Sequence, residues 1–211
     1  MKVRHGSGFL NFKWYSIHMM HSFQMLKDLE VERFIYKTSI HGLLYIDRTL
    51  HGDDRGFFSE VTHIPAIQRV TGIDFSIKQI NHARSETNVV RGIHAEDWNK
   101  FVFLASGRAF CAVVDLRKDS PTYKQVESFI LGYGDQDLHG GLFIPRGLGN
   151  SVATLSGPLE YIYFVDKLYT ERDPAGDTAI SLFDPQLNIE WPIPREQMVL
   201  SQRDKNAVLL G

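Results

Sequence analysis

With 211 residues, 43% of them hydrophobic, the chain is long enough for one well-cored domain and short for two. A formal net charge of −2 gives no reason to expect nucleic acid or an anionic membrane as a partner. The single cysteine, Cys111, excludes a disulfide within the chain, and its apolar neighbours predict a buried core residue. The apolar stretches are shorter than the roughly 18 residues of a membrane span. We therefore expect a soluble, cytoplasmic protein without a membrane partner.

Residues 1–24 differ in composition from the rest of the chain. They mix basic, aromatic and Met residues without helical or strand periodicity, which predicts an N-terminal extension. From about residue 33, short runs of β-branched and aromatic residues alternate with Gly, Pro, Asp and Asn. We therefore expect a single domain over residues 25–211.

The apolar runs of this domain predict short strands and few helices. One segment, 65–71, predicts a helix, because it has Pro in its first turn and Gly72 just after its end. Short strands without crossover helices predict an all-β fold, an antiparallel sandwich or barrel with a few short helices. The predicted strands lie at 42–46, 101–104, 109–114, 125–130, 141–144, 151–155 and 161–165.

The segment from Asp54 to Glu60 reads Asp-Arg-Gly-Phe-Phe-Ser-Glu and enters a predicted strand. Alternation places Arg55 on one face and Phe58 and Glu60 on the other. Such a segment is either a solvated strand edge or an aromatic platform whose charged residues bond to a nucleotide base and a phosphate. These residues alone do not decide between the two readings.

Two further segments carry polar residues on predicted strands. Gln79 and Asn81 share one strand face, where their amides are able to hold a diphosphate. In Val90-Arg-Gly-Ile-His94, a bend at Gly92 brings Arg91 and His94 to one pocket. A lone histidine among apolar neighbours is usually a core residue, although Glu96, Asp97 and Lys100 follow at once and favour a reactive site.

Taken in order, these motifs resemble the dTDP-4-dehydrorhamnose 3,5-epimerase family from about residue 33 onwards. The matching segments are D-R-G-F-F-S-E (54–60), Q-I-N-H-A-R-S (79–85), V-R-G-I-H (90–94), D-L-R-K-D-S-P-T-Y (115–123), I-P-R-G-L-G-N (144–150), L-E-Y-I-Y (159–163) and D-P-Q-L-N-I-E-W-P (184–192). The resemblance implies a cupin-like jelly roll that epimerises a dTDP-4-keto-6-deoxyhexose at C3 and C5 without metal or other cofactor. It also implies a homodimer that exchanges N-terminal strands.

The resemblance also implies the roles of individual residues. His94 would be the catalytic base, Asp184 its orienting carboxylate, Tyr163 the proton donor and Lys100 the cation that stabilises the enolate. The implied contacts to the nucleotide and sugar, made partly across the dimer, are Arg55, Phe58, Glu60, Gln79, Asn81, Arg91 and Asn150.

The chemistry explains why these residue types are needed. A proton next to a ketone leaves only if a cation or donor already faces the developing enolate oxygen. Imidazole exchanges protons near neutral pH, and a carboxylate beside it holds its tautomer and stabilises the imidazolium. Inversion then requires a proton from the opposite face, which a tyrosine hydroxyl is able to deliver.

The chain departs from the family pattern around the sugar. After His94 it has Ala-Glu where the family usually has Tyr-Gln, and the segment before Lys100 is shorter by about four residues. Asn150 replaces the family's second histidine, and Phe164 replaces a lysine. These changes leave open a mono-epimerase acting at C3 or C5 on another 4-keto nucleotide sugar.

Two other classes are alternatives to this enzyme. A non-catalytic cupin that only binds a nucleotide sugar would not need a base, an orienting acid and a proton donor together. A metal-dependent cupin would need a His-x-His cluster and a later histidine, whereas this chain has His94-Ala-Glu96 and Asn150. We therefore predict no metal ligands.

Overall fold

A computed structural model describes residues 29–211, so the predicted extension at 1–24 lies outside the described residues, as do 25–28. Most of the regular secondary structure in this part of the chain is β-strand, as predicted. Its strands are β1 Glu30–Glu32, β2 Ile35–Lys37, β3 Leu44–Ile46, β4 His51–Asp53, β5 Gly56–Phe58, β6 Gln79–Ser85, β7 Val90–Ala95, β8 Lys100–Asp115, β9 Val126–Leu131, β10 Gly141–Ile144, β11 Leu148–Val165 and β12 Thr178–Ala179.

Helices are short and few in the described part of the chain. Helix α1 spans Ile64–Thr71, and α2 spans Gln202–Lys205. Gly72 ends α1 in the left-handed conformation with φ of 70°, which confirms the helix predicted at 65–71. Single turns of 3-10 helix lie at Tyr169–Glu171, Pro174–Gly176 and Arg195–Gln197. No helix within 29–211 is long and apolar enough to cross a membrane.

Two long antiparallel strands, β8 and β11, organise the sheet. The first part of β8 pairs with β10, which pairs with β3, while the last part of β11 pairs with β6. The second part of β8 pairs with β9, and the first part of β11 pairs with β7, which pairs with β12. Each long strand therefore contributes to two halves of the fold, and all these pairings are antiparallel.

The segments predicted as separate strands at 101–104 and 109–114 form one strand in the structure, and so do 151–155 and 161–165. The register between β8 and β11 shifts repeatedly between Thr154 and Tyr161, opposite Gly107. Gly107 has φ of +86°, and a Cβ there would lie 2.9 Å from the Leu159 Cα. The glycine thus allows the two strands to cross closely while their register changes, and the strands continue through the irregularity.

Side chains alternate along each half of β8, and the irregularity near Gly107 shifts this alternation by one residue between the two halves. Val102, Leu104, Cys111 and Val113 belong to the central core cluster, which confirms Cys111 as a core residue. Burial raises the pKa of the Cys111 thiol to about 12. The opposite face is covered in two places. Phe101 and Phe103 pack in the cluster that contains α1, and Phe110, Ala112 and Val114 pack with Ile180, Leu182, Leu187 and Ile193 of the C-terminal segment.

Candidate active site

A cavity of about 520 Å³ is lined by residues of β6, β7, β8 and β11 and of the C-terminal segment. Six of the residues predicted for the site line it: Asn81, Arg91, His94, Lys100, Asn150 and Tyr163. The other five residues predicted for the site do not line this cavity: Arg55, Phe58, Glu60, Gln79 and Asp184. The structure therefore gathers segments that are far apart in the sequence into one pocket.

A β-bulge in β7 aims two of these residues into the cavity. Arg91 pairs with Val152 and His94 pairs with Asn150, so three steps along β7 match two steps along β11. Gly92 has φ of +118°, and a Cβ there would lie only 2.6 Å from the Asn150 carbonyl oxygen. Glycine is required at this point, and the predicted bend that brings Arg91 and His94 to one pocket is present.

His94 is hydrogen-bonded to a buried carboxylate from the C-terminal helix. Its Nε2 lies 2.7 Å from Oδ1 of Asp204, whose side chain is 2% exposed. Burial raises the pKa of Asp204, but hydrogen bonds from His94 and Ser201 outweigh burial and leave the pKa below its ordinary value. An ionised Asp204 accepts the Nε2 hydrogen, which leaves Nδ1 of His94 as the proton acceptor.

The prediction that Asp184 orients His94 is wrong. The Asp184 carboxylate accepts hydrogen bonds from the backbone N–H groups of Gln186 and Leu210, at 2.8 and 2.5 Å. It therefore fastens a turn to the end of the C-terminal segment. The partner of His94 is Asp204 instead, 110 residues further along the chain.

Lys100 enters the cavity paired with Glu96. Its Nζ donates to Oε2 of Glu96 at 2.8 Å, and the two side chains are 7% and 14% exposed. Burial raises the pKa of Glu96, but the ammonium of Lys100 and its hydrogen bond outweigh burial and leave the pKa below its ordinary value. The pair therefore supplies a charged donor and a charged acceptor in a place with little solvent.

Two tyrosines on β11 line the cavity next to Asn150. Burial, assisted by the negative charge of Glu96, raises the pKa of Tyr163 above 10.0, so its hydroxyl stays protonated at neutral pH. Burial likewise raises the pKa of Tyr161, whose hydroxyl accepts a hydrogen bond from the Asn150 amide at 3.3 Å. Asn150 is thus held by Tyr161, while Tyr163 keeps its proton available to the cavity.

The polar residues of β6 lie beside Arg91. The Arg91 guanidinium donates to Ser85 Oγ at 3.0 Å and to the Arg84 carbonyl at 3.1 Å. The Gln79 side-chain amide donates to Oδ1 of Asn81 at 2.7 Å and accepts from the backbone N–H of Tyr169. Within residues 29–211, no hydrogen-bond partner is present for the buried Nδ2 of Asn81. Gln79 therefore orients the Asn81 side chain.

The segment 54–60 lies away from the cavity, on an exposed hairpin formed by β4 and β5. The Arg55 side chain is 89% exposed and pairs with Asp53, and Phe58 is 65% exposed. Oε2 of Glu60 lies 3.4 Å from Nε2 of His63. Within one chain, these three residues do not take part in the pocket.

Several lining residues had no role assigned to them from the sequence. Besides Glu96 and Asp204, the cavity wall includes Trp98, Tyr169 and Arg172, and the Arg172 guanidinium carbon lies 4.7 and 4.4 Å from the two ring centroids. The signal for Asp204 was Ser201-Gln-Arg-Asp204, a helix-start pattern in which Ser201 accepts from the Asp204 N–H. Read locally, that pattern predicts only a cap. Within residues 29–211, no group of three or more His, Cys, Asp or Glu side chains is placed to hold a metal ion.

Comparison with known proteins agrees with this geometry. The family model described as dTDP-4-dehydrorhamnose 3,5-epimerase matches residues 37–211. The Salmonella typhimurium dTDP-4-dehydrorhamnose 3,5-epimerase is 32% identical over 180 residues, which is 83% of this chain and 94% of that protein. The Legionella pneumophila dTDP-6-deoxy-D-glucose-3,5-epimerase, solved with dTDP-4-keto-L-rhamnose, superposes with a TM-score of 0.73 at 33% identity, covering 83% of this chain and 91% of that one.

A relative with a narrower activity is also similar. The 3'-monoepimerase ChmJ from Streptomyces bikiniensis, solved with dTDP-quinovose, superposes with a TM-score of 0.72 at 28% identity, covering 82% of this chain and 85% of that one. The expected cupin-like fold is confirmed by these superpositions. The family match spans most of the chain, and the cavity holds a histidine–carboxylate pair, a lysine and a tyrosine. This chain therefore belongs to the dTDP-4-dehydrorhamnose 3,5-epimerase family.

Proposed function

We propose that this chain epimerises a dTDP-linked 4-keto-6-deoxyhexose at C3 and C5, the inversion that dTDP-L-rhamnose synthesis requires. The observation that carries the proposal is the 2.7 Å contact between His94 and Asp204 inside a cavity that also contains Lys100 and Tyr163. A base with its orienting carboxylate, a cation and a hydroxyl donor are the groups that proton transfer next to a ketone needs. A protein that only binds the sugar would not need all of these groups together.

The reaction begins with removal of a proton from the carbon next to the C4 ketone. Nδ1 of His94 takes this proton, since Nε2 is committed to Asp204. The electron pair of the broken C–H bond moves to form the carbon–carbon double bond, and the ketone oxygen becomes the enolate. Lys100 donates a hydrogen bond to that oxygen, because Glu96 occupies only one of its three N–H groups. The Asp204 carboxylate stabilises the imidazolium that forms.

Inversion is completed by a proton from the other face of the sugar. Tyr163 supplies it, the electron pair returns from the enolate oxygen to carbon, and the C4 ketone forms again. Solvent then reprotonates the tyrosinate and takes the proton held by His94, so protons and charge balance over one cycle. The raised pKa of Tyr163 supports this role, because the hydroxyl is protonated when the enolate forms.

The diphosphate of the nucleotide is held by Arg91 and Asn81. Ser85 and the Arg84 carbonyl orient the Arg91 guanidinium, which pairs well with phosphate oxygens. The Asn81 side chain lines the cavity, and its buried, unpaired Nδ2 gains a partner when the amide turns towards a phosphate oxygen. Gln79 contributes by orienting Asn81.

The nucleotide site is completed by a second copy of the chain, in a homodimer that exchanges N-terminal strands. The exposed hairpin supports this proposal, because Phe57 and Phe58 are 54% and 65% exposed and Ile80 on β6 is 60% exposed. Arg55, Phe58 and Glu60 would then contact the nucleotide in the partner's pocket. Light scattering after gel filtration tests this: a dimer is expected, and a monomer that still binds dTDP would contradict it.

Solvent deuterium exchange tests the reaction directly. Protein treated with chelator is incubated in deuterated water with dTDP-4-keto-6-deoxyglucose, and NMR locates the label. Label at C3 and C5 is the expected result, whereas label at one carbon indicates a mono-epimerase like ChmJ. His94→Ala should abolish exchange, while His82→Ala, a surface histidine bonded to Glu160, should leave it unchanged. If the sugar binds but no carbon exchanges, the enzyme proposal is wrong and the chain is a binding protein for this sugar.

A further inference from the structure

Among the described residues that line the pocket, Glu96 is the charged acceptor that the proposed reaction leaves without a task of its own. Its carboxylate lines the cavity, and its side chain is 14% exposed. Among the described residues, Lys100 is the hydrogen-bond donor found for it, and that bond uses Oε2. A buried carboxylate normally satisfies more than one lone pair, so Oε1 is available to a donor from the ligand.

The neighbourhood of Glu96 requires that this partner be a donor. Lys100 pairs with Glu96, and Arg172 lies close enough to act on it electrostatically. Two cations hold the group as a carboxylate, which accepts hydrogen bonds and offers none. A ligand group that faces Glu96 must therefore carry a polar hydrogen, as a hydroxyl does, whereas a methyl group or an ether oxygen would leave Oε1 without a donor.

The position of Glu96 selects one hydroxyl of the sugar. If Lys100 donates to both the C4 oxygen and Glu96 through hydrogen bonds of about 2.8 Å at a tetrahedral angle, these two acceptors lie about 4.6 Å apart. The hydroxyl on C3 is the polar hydrogen nearest to the C4 oxygen. On the other side of C4, C5 carries a methyl group and the ring oxygen, neither of which is a donor.

We propose that Glu96 accepts a hydrogen bond from the C3 hydroxyl of the hexose and thereby makes this enzyme selective for sugars that are hydroxylated at C3. The inference rests on the proposed function, because Lys100 at the C4 oxygen fixes where Glu96 meets the sugar. The Glu96–Lys100 pair then selects the substrate as well as positioning the lysine. A 3-deoxy sugar in the same pocket would leave the carboxylate facing a C–H bond.

Binding of two unreactive ligands tests the inference separately from the reaction. Isothermal titration compares a dTDP-6-deoxyhexose that has a C4 hydroxyl in place of the ketone with its 3-deoxy analogue, neither of which has an acidic C–H next to a ketone. We expect the wild-type protein to bind the 3-hydroxy ligand about 10- to 100-fold more tightly, the range for a hydrogen bond to a charged group. Glu96→Gln keeps the shape and removes the charge, and should reduce the ratio about tenfold.

Controls make each outcome decisive. Glu160→Gln changes a surface carboxylate on β11 that bonds to His82 and Arg84, and should retain the full ratio. A wild-type ratio below about threefold, a full ratio in folded Glu96→Gln, or failure of both ligands to bind would each overturn the inference. The wild-type comparison stands even if the variant does not fold. Selective binding without deuterium exchange would refute the proposed reaction and leave the assignment of Glu96 in place.

Discussion

Replacing Asp204 by Asn separates the orienting role of this residue from its charge. An asparagine is able to keep Oδ1 against Nε2 of His94 and to turn its NH₂ towards Ser201, where the carboxylate now accepts a 2.7 Å bond. What disappears is the negative charge beside the imidazolium that forms when His94 takes the proton. Opposite charges about 4 Å apart attract by about 4 kcal/mol at an effective dielectric constant of 20.

The neutral amide recovers part of this energy through its own hydrogen bond, and the His94 ring, 20% exposed, is partly solvated. The expected loss of transition-state stabilisation is about 2 to 4 kcal/mol, which lowers kcat/KM about 30- to 1,000-fold. The loss should appear in the rate of deuterium exchange, since proton abstraction is the step affected. Affinity for dTDP should be unchanged, because the nucleotide contacts lie elsewhere.

Asp184→Asn is the matched control for this prediction. It makes the same chemical change in a carboxylate that bonds to the N–H groups of Gln186 and Leu210. The folded fraction of this variant, measured by circular dichroism, should exchange deuterium at a rate close to that of the wild type. An Asp204→Asn protein within threefold of wild type, or folded Asp184→Asn as slow as Asp204→Asn, would refute the reasoning.

Three further changes test other parts of the structure. Tyr163→Phe should retain deuterium exchange on the face of the base but suppress inversion, as NMR of the product shows; inversion at the wild-type rate would remove Tyr163 as the donor. Gly92→Ala should cost about 3 kcal/mol or prevent folding, because the new Cβ meets the Asn150 carbonyl at 2.6 Å and alanine is strained at φ of +118°; an unchanged Tm would contradict the required bulge. The third change concerns Asp115, which is fully buried. Burial raises its pKa, but hydrogen bonds from Arg117, Ser120 and Thr122 outweigh burial and lower the pKa from 3.8 to about 2. The resulting stability, about 2 kcal/mol, is present above pH 3.8 and is lost as the pH falls towards 2. The difference in unfolding free energy between wild type and Asp115→Asn, measured by urea titration, should therefore shrink between about pH 5 and about pH 2. A constant difference would contradict the assignment.

Strand alternation and glycine placement carried most of what could be predicted from the sequence. The bend between Val90 and His94 could be predicted from Gly92 alone, because only glycine permits the bulge that turns Arg91 and His94 to one side. The strands at 101–104 and 109–114 were predicted as two, since Gly107 is a usual breaker. Pairing with β11 on both sides of Gly107 keeps them as one strand, and that pairing is a long-range property.

The residues that escaped prediction come from segments without regular secondary structure or with a second local role. Asp204 follows a helix-capping serine, so its local pattern explains it without reference to His94. Arg172 lies between two turns of 3-10 helix, where no periodicity indicates which way a side chain faces. The family resemblance implies Asp184 as the orienting carboxylate, but in the structure this carboxylate accepts hydrogen bonds from the backbone of the C-terminal segment. Contacts between distant segments decided each case.

The partnership of His94 with Asp204 also couples activity to a segment that lies outside the paired strands of the sheet. Asp204 belongs to a segment joined to the barrel by isolated bridges such as Val89 with Val199 and Ile180 with Val208, together with apolar packing against β8. Regions held in this way open at a lower free energy than the paired strands of a core. Warming or mild denaturant should therefore abolish activity while the sheet is still folded. Turnover should then fall, as this segment loosens, before any spectroscopic signal of the sheet changes.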